Sequence, residues 1–307
     1  MPFEEMRLNL IAPVYNNSPF GNENRLVNWL NNTKEGRDFD IDLTITDLRF
    51  EQNNLSNLSG KYDATLVIKG EMLSPEQIKY CSSPKILYFP DDIIVYKGYR
   101  DYIKLVGSSY DWVYTFDKFA IPEFKKCGCK DVRWLPSWTG VDFFNRRFIE
   151  RDFDICFIGS INEQRQEMLD KVTQVFFDKN LYFKKNVYGN DYVYLLNKSK
   201  IVLNLAQGKT GTSQRVFEAA ACEAMVLTNW IDESEQLYEG DKEVVYWNDL
   251  DELIQKLELY LNSEDKRKSI ANAGFIRTIK DHLAGNRFKV IFDDIKNFNN
   301  DLYKLLA

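Results

Sequence analysis

One pattern constrains this chain more than any other. Short apolar runs recur along it, most of them followed by a polar or glycine-bearing turn and then by apolar residues at helical spacing. The runs fall at 7–13, 41–46, 63–69, 84–89, 110–115 and 132–135, and again at 153–158, 182–188, 201–206, 225–228 and 244–247. Helical spacing is read at 22–30, 101–106, 121–127, 162–172, 192–197, 215–224, 263–274, 277–282 and 286–306. Two helix starts carry their own signal. Ser74-Pro75-Glu76-Gln77 combines an N-cap serine, a proline in the first turn and a glutamine at the third helical position. Asn248-Asp249 followed by Glu252 does the same for a helix running to Leu261. Strands that alternate with helices and are apolar on both faces predict mostly parallel sheets covered on each side, an α/β fold.

The 307 residues suit two domains of about 150 residues each. The segment 142–151, DFFNRRFIER, is charged and irregular and reads as a linker. The expected division is 1–145, then 146–285, with 286–307 as a terminal helix. A net charge of −6 and a pI near 5.2 argue against a non-specific nucleic-acid binder. The five cysteines are scattered, and Cys127-Gly128-Cys129 lacks the spacing and partners of a zinc site. With no leader-like N-terminus and no apolar run near the length of a membrane span, a reducing cytoplasm is the expected location.

The chemistry concentrates in 208–229, GKTGTSQRVFEAAACEAMVLTN. A glycine- and hydroxyl-rich loop leaves one strand, enters a helix and leads to the next strand. Such a helix points unpaired N–H groups and a partial positive charge at the loop, which is an anion site. Arg215 adds a full charge in the first turn, and Glu218 follows one turn on. The expectation is a diphosphate at this end, with Glu218 taking the hydroxyls of the attached sugar; a solvated surface pair is the plain alternative. At the carboxyl end of the 84–89 strand stand Asp91 and Asp92, a candidate base or a helix cap.

These residues resemble glycosyltransferases of the GT-B fold, in particular the group-1-like branch that includes the spore-maturation CgeB-like proteins. The resemblance is carried by Phe157-Ile158-Gly159-Ser160 with Arg165, by Leu203-Asn204, by Thr212-Ser213-Gln214-Arg215-Val216-Phe217-Glu218 through Cys222, and by Asp281-His282 with Arg287. In the first half it is carried by 110–117, Gly128, Leu135-Pro136 and Val141-Asp142. It implies two Rossmann-like domains facing across a cleft, with the last helix crossing back to the first domain. It implies a nucleotide-diphosphate sugar, UDP-linked by preference, held by Gly159, Ser160, Arg165, Tyr188, Asn204, Thr212, Ser213, Arg215 and Glu218. Within that set Glu218 matches the ribose-binding acid and Arg215 the diphosphate region. The acceptor would lie around Tyr15, Asn16 and Gly21, with Asp91 or Asp92 as base and no bound metal. Thr210 stands where many retaining members carry an acidic residue, and Glu223 where a small residue is usual, so the stereochemical course is open.

Three readings follow. The first is a hexosyl-transferring enzyme acting on a glycan or small molecule. The second is the same chemistry on a modified base. The third is a degenerate relative that binds sugar nucleotide without turnover.

Overall fold

The computed structural model describes residues 5–13, 22–48, 60–70, 73–140, 144–206 and 211–306. The chain forms two compact units, Met1–Pro136 with Ala284–Ala307, and Ser137–Leu283; the sequence reading set the limits at 145 and 285.

In the first unit, β1 (Met6–Ala12), β2 (Ile41–Asp47), β3 (Ala64–Ile68), β4 (Lys85–Phe89), β5 (Trp112–Thr115) and β6 (Val132–Trp134) form one sheet in the order β2-β1-β3-β4-β5-β6. Every pairing is parallel. All five residues of β3 are buried, as a strand covered on both faces requires. Ile11, Val67, Leu87 and Val113 pack with Ile78, Ile103 and Phe124 from the helices Pro75–Lys79, Lys97–Val106 and Ile121–Lys126. The cap expected at Ser74 is present: its hydroxyl accepts from the Gln77 N–H, and the Gln77 side chain accepts from the Ser74 N–H at 2.8 Å. The terminal helix Ala284–Leu306 belongs to this unit. Its Phe288 and Phe292 meet the Trp29 ring, and its Asp294 accepts from the Tyr114 hydroxyl and pairs with Arg133 at 2.7 Å.

In the second unit, β7 (Phe153–Ile158), β8 (Leu181–Lys184), β9 (Ser199–Asn204), β10 (Met225–Asn229) and β11 (Val245–Trp247) are ordered β11-β10-β9-β7-β8, again all parallel. Ile155, Leu203, Leu227 and Val245 form a core with Leu169, Leu253, Leu257 and Ile270 from the helices Glu163–Val175, Leu250–Leu261 and Glu264–Asp281. Both units are therefore Rossmann-like, and the α/β expectation holds. In each, the first strand lies between the second and third. The winding reverses there, and ligands of such sheets bind outside the carboxyl ends of those strands.

Three local readings are corrected. The strand expected over 182–188 ends at Lys184; the chain turns through Asn186 at φ 58°, and a helix begins at Gly189. The helices expected at 263–274 and 277–282 are one, Glu264–Asp281. Gly274 is a packing residue rather than a break, since a Cβ there would stand 2.2 Å from the Glu243 carbonyl oxygen. Gly274→Ala is accordingly expected to destabilise by about 1–3 kcal/mol despite its better helix propensity, read as a lowered thermal midpoint.

The third correction concerns 142–151. Residues 141–143 lie outside the described residues. From Phe144 the segment is tied into the second unit rather than linking two. The Asn197 side chain accepts from the Arg147 N–H at 2.7 Å and donates to the Asn145 carbonyl at 3.0 Å. Arg151 donates to four carbonyls, those of Leu196, Ser199, Cys222 and Glu223. Among the described residues no helix is long and apolar enough to cross a membrane.

Candidate nucleotide-sugar site

The candidate site stands at the carboxyl ends of β7 and β9, where the second sheet reverses its winding. Gly159-Ser160 directly follow β7, and β9 ends in Asn204. The helix Gln214–Ala221 follows, with Ser213 at its N-cap. The Ser213 hydroxyl makes no cap bond; it donates instead to Asn204 Oδ1 at 2.7 Å. The first N–H groups of the helix are thus left without a side-chain cap, which is the anion-binding arrangement.

Asn204 is buried and organises the site. Its Oδ1 also accepts from Arg215 Nη1 at 3.0 Å, and its Nδ2 donates to Thr228 Oγ1 at 2.9 Å. The Arg215 guanidinium lies 4.9 Å from the centre of the Phe157 ring, a cation–π distance. It also occupies the space that a side chain at position 159 would need: a Cβ on Gly159 would stand 2.2 Å from Nη2. The glycine is required by that close approach. Two buried polar atoms of the site, Arg215 Nε and Thr212 Oγ1, have no partner among the described residues. Such atoms cost free energy unless something satisfies them. The Thr212 N–H donates to the buried Glu233 carboxylate at 2.8 Å. Asn204, Thr212, Ser213 and Thr228 line a pocket of about 10 Å³, near the least that a water molecule needs.

Glu218 is turned inward and only 7% exposed, so the pair is not a solvated surface pair. Its Oε2 accepts from the Tyr192 hydroxyl at 3.0 Å. Burial, reinforced by the Glu218 charge, pushes the Tyr192 phenol well above its ordinary pKa. The phenol therefore stays protonated and holds the carboxylate. Burial likewise raises the Cys222 thiol to about 12, which leaves it a packing residue at the end of the same helix.

Arg165 braces the site. Its Nε and Nη2 donate to the Leu205 carbonyl, and its Nη1 donates to the Ser160 carbonyl at 2.7 Å and hydroxyl at 3.0 Å. It thereby ties the turn after β7 to the end of β9. Tyr188 stands at the N-cap of the helix Gly189–Asn197, and its side chain is 75% exposed. The structure thus gathers Gly159, Asn204, Thr212, Ser213 and Arg215, with Glu218 one turn along the same helix and held by Tyr192. Ser160 and Arg165 form the supporting turn, and Tyr188 stands in solvent.

In the first unit, Asp91 pairs with Lys69 at 2.9 Å. Asp92 is engaged locally, its Oδ1 accepting from the N–H groups of Ile94 and Val95 at 2.7 and 3.0 Å. Tyr15, Asn16 and Gly21, and with them Gly208 and Thr210, lie outside the described residues. His282 is buried, bonded to the Leu237 carbonyl at 2.8 Å and packed on Phe217 and Tyr238. No group of three or more His, Cys, Asp or Glu that could hold a metal occurs among the described residues.

Sequence reasoning missed Phe157 as a platform, and also Tyr192, Thr228 and Glu233. Thr228 could have been found, because it stands in a strand at the end where ligands bind. Tyr192 and Glu233 carry no sequence signal of their own.

Residues 144–293 match the family described as glycosyl transferase-like. No curated protein matches the chain by sequence. Solved structures match over nearly its whole length. Anabaena HepE in complex with UDP is 9% identical, with a TM-score of 0.65 covering 95% of this chain and 100% of that one. Sucrose-phosphate synthase from Thermosynechococcus elongatus is 9% identical, with a TM-score of 0.61 covering 98% and 100%. A glycosyltransferase from Rickettsia africae is 10% identical, with a TM-score of 0.60 covering 95% and 99%. At such identities the likeness concerns fold: the chain has the two-Rossmann architecture of GT-B glycosyltransferases.

Proposed function

We propose that this chain is a glycosyltransferase that moves a hexose from a nucleotide-diphosphate sugar, UDP-linked by preference, to an acceptor hydroxyl in the cytoplasm. The observation that carries the reading is Arg215. It sits in the first turn of a helix without a side-chain cap at the switch point of a parallel sheet, pressed against a glycine, with its Nε and the nearby Thr212 hydroxyl buried and, among the described residues, unpartnered. The glycosyl transferase-like match over 144–293 supports it. Anabaena HepE, which shares the fold, has been crystallised with UDP and with UDP-glucose.

The leaving diphosphate's charge would be met by Arg215 and the helix N-terminus as preorganised donors, with no metal required. Glu218, held by Tyr192, would accept from the ribose hydroxyls. In an inverting reaction Asp91 is the stronger candidate base, since Asp92 already accepts two backbone N–H groups. Tyr15, Asn16 and Gly21 are proposed to lie near the acceptor. Titrating UDP and GDP by calorimetry tests the site. Arg215→Ala is expected to weaken UDP binding about 10- to 100-fold, the worth of charge-assisted hydrogen bonds, and Glu218→Ala about tenfold. Unchanged affinity in both variants would refute the assignment.

A further inference from the structure

We infer that the open cleft beyond β10 and β11 binds a neutral saccharide. The binding does not rest on the glycosyl-transfer reading. The cleft has a volume of about 630 Å³, within the range of about 300–1,000 Å³ typical of small-molecule sites. It lies at the ligand-binding end of the sheet, because Trp230 directly follows β10 and Asn248 directly follows β11.

Tyr246 contributes to its lining, buried, with its hydroxyl shared between the carbonyls of Ser234 and Tyr238 at 2.8 and 2.9 Å. Gly240 packs so closely on that ring that a Cβ would stand 3.1 Å from its Cδ2. The same tyrosine also lines the small pocket beside Asn204, Thr212 and Ser213. The cleft and that small pocket therefore share this tyrosine as a wall.

The lining chemistry selects the ligand class. Trp230 is 42% exposed, and among the described residues its indole N–H meets no acceptor. An exposed indole face suits the C–H face of a pyranose, and the free N–H suits a ring or hydroxyl oxygen. Around it stand Glu235, Glu239, Asp241, Asn248 and Lys256, acceptors and donors in the mixture that sugar hydroxyls require.

The charges argue against an anionic ligand. Three carboxylates would repel a phosphorylated or acidic ligand. Two of the three also face a lysine, Glu239 pairing with Lys242 at 2.8 Å and Asp241 standing 3.8 Å from Lys256, which lessens their pull on a cation. A neutral polyol meets no such repulsion.

The test is calorimetry on the intact chain without nucleotide, titrating maltotriose, cellotriose and chitotriose, with spermidine as the cationic comparison. At least one trisaccharide is expected to bind. Trp230→Ala should weaken it tenfold or more, and Trp230→Phe, which keeps an aromatic face, by less. A parallel UDP titration of Trp230→Ala, expected unchanged, separates this cleft from the nucleotide site and reports that the variant is folded. The inference is overturned if none of the trisaccharides binds, if Trp230→Ala binds as tightly as the parent, or if spermidine binds in their place.

Discussion

Replacing Arg151 by methionine is expected to cost the second unit about 3–4 kcal/mol, a fall of roughly 10 °C in its thermal midpoint. Methionine keeps most of the buried stem, so the loss isolates the guanidinium. That group donates to the carbonyls of Ser199, Cys222 and Glu223 at 2.6, 2.9 and 2.8 Å, and more weakly to Leu196 at 3.4 Å. Carbonyls at the end of a helix have no intrahelical partner, and a cation there also complements the helix dipole. Cys222 is the C-cap of the helix that carries Arg215 and Glu218, and Ser199 opens β9. One side chain therefore fastens the far end of the site helix to the strand bearing Asn204. Arg151→Lys should recover only part of the loss, because a single ammonium cannot reach two separated pairs of carbonyls in a fixed fork. A thermal midpoint within about 2 °C of the parent for the methionine variant would show that water satisfies those carbonyls equally well.

Arg151 also marks where sequence reading stops. Periodicity located the strands because burial on both faces leaves an unbroken apolar run, as in Phe153–Ile158 and Ala64–Ile68. Capping chemistry located the starts at Ser74 and Asp249 because those bonds span only a few residues. Nothing local distinguishes the charges of 144–151 from a solvated linker. The partners that make Arg151 structural lie 45 to 72 positions away. Gly274 misled for a related reason: a helix-breaking residue in isolation becomes a close-packing one only when the Glu243 carbonyl is known to touch it.

The site shows the same division. Arg215, Glu218 and Gly159 could be picked out as candidates, because a glycine turn and a helix start are short-range signals. The inward turn of Glu218 towards Tyr192, the Phe157 ring under Arg215 and the role of Asn204 as hub needed the order β7-β9-β10 of the sheet. Asp91 and Asp92 looked equivalent in sequence. Their environments separate them, since one is ion-paired across to β3's end and the other closes a turn.

Gly159→Ala is expected to lower UDP affinity about 100-fold, the upper end of the worth of the proposed guanidinium–phosphate contact, while leaving the fold nearly as stable as before. The added methyl would stand 2.2 Å from Arg215 Nη2 and 3.1 Å from its Cζ, but 3.5 Å from the nearest atom of Phe157. The clash is thus with the tip of a flexible side chain, and the backbone at Gly159 has no positive φ that alanine would strain. Arg215 would yield by swinging off the Phe157 ring and releasing Asn204. The protein would keep its charge in the sequence and lose it from the site. This separates positioning from charge in a way that Arg215→Ala alone does not. If the methyl acts by displacing the arginine, then adding Gly159→Ala to Arg215→Ala should cost little further affinity, a strong departure from additivity. Should the alanine variant bind UDP as the parent does, or should its cost persist in full without Arg215, the close approach of these two residues would not be what holds the diphosphate.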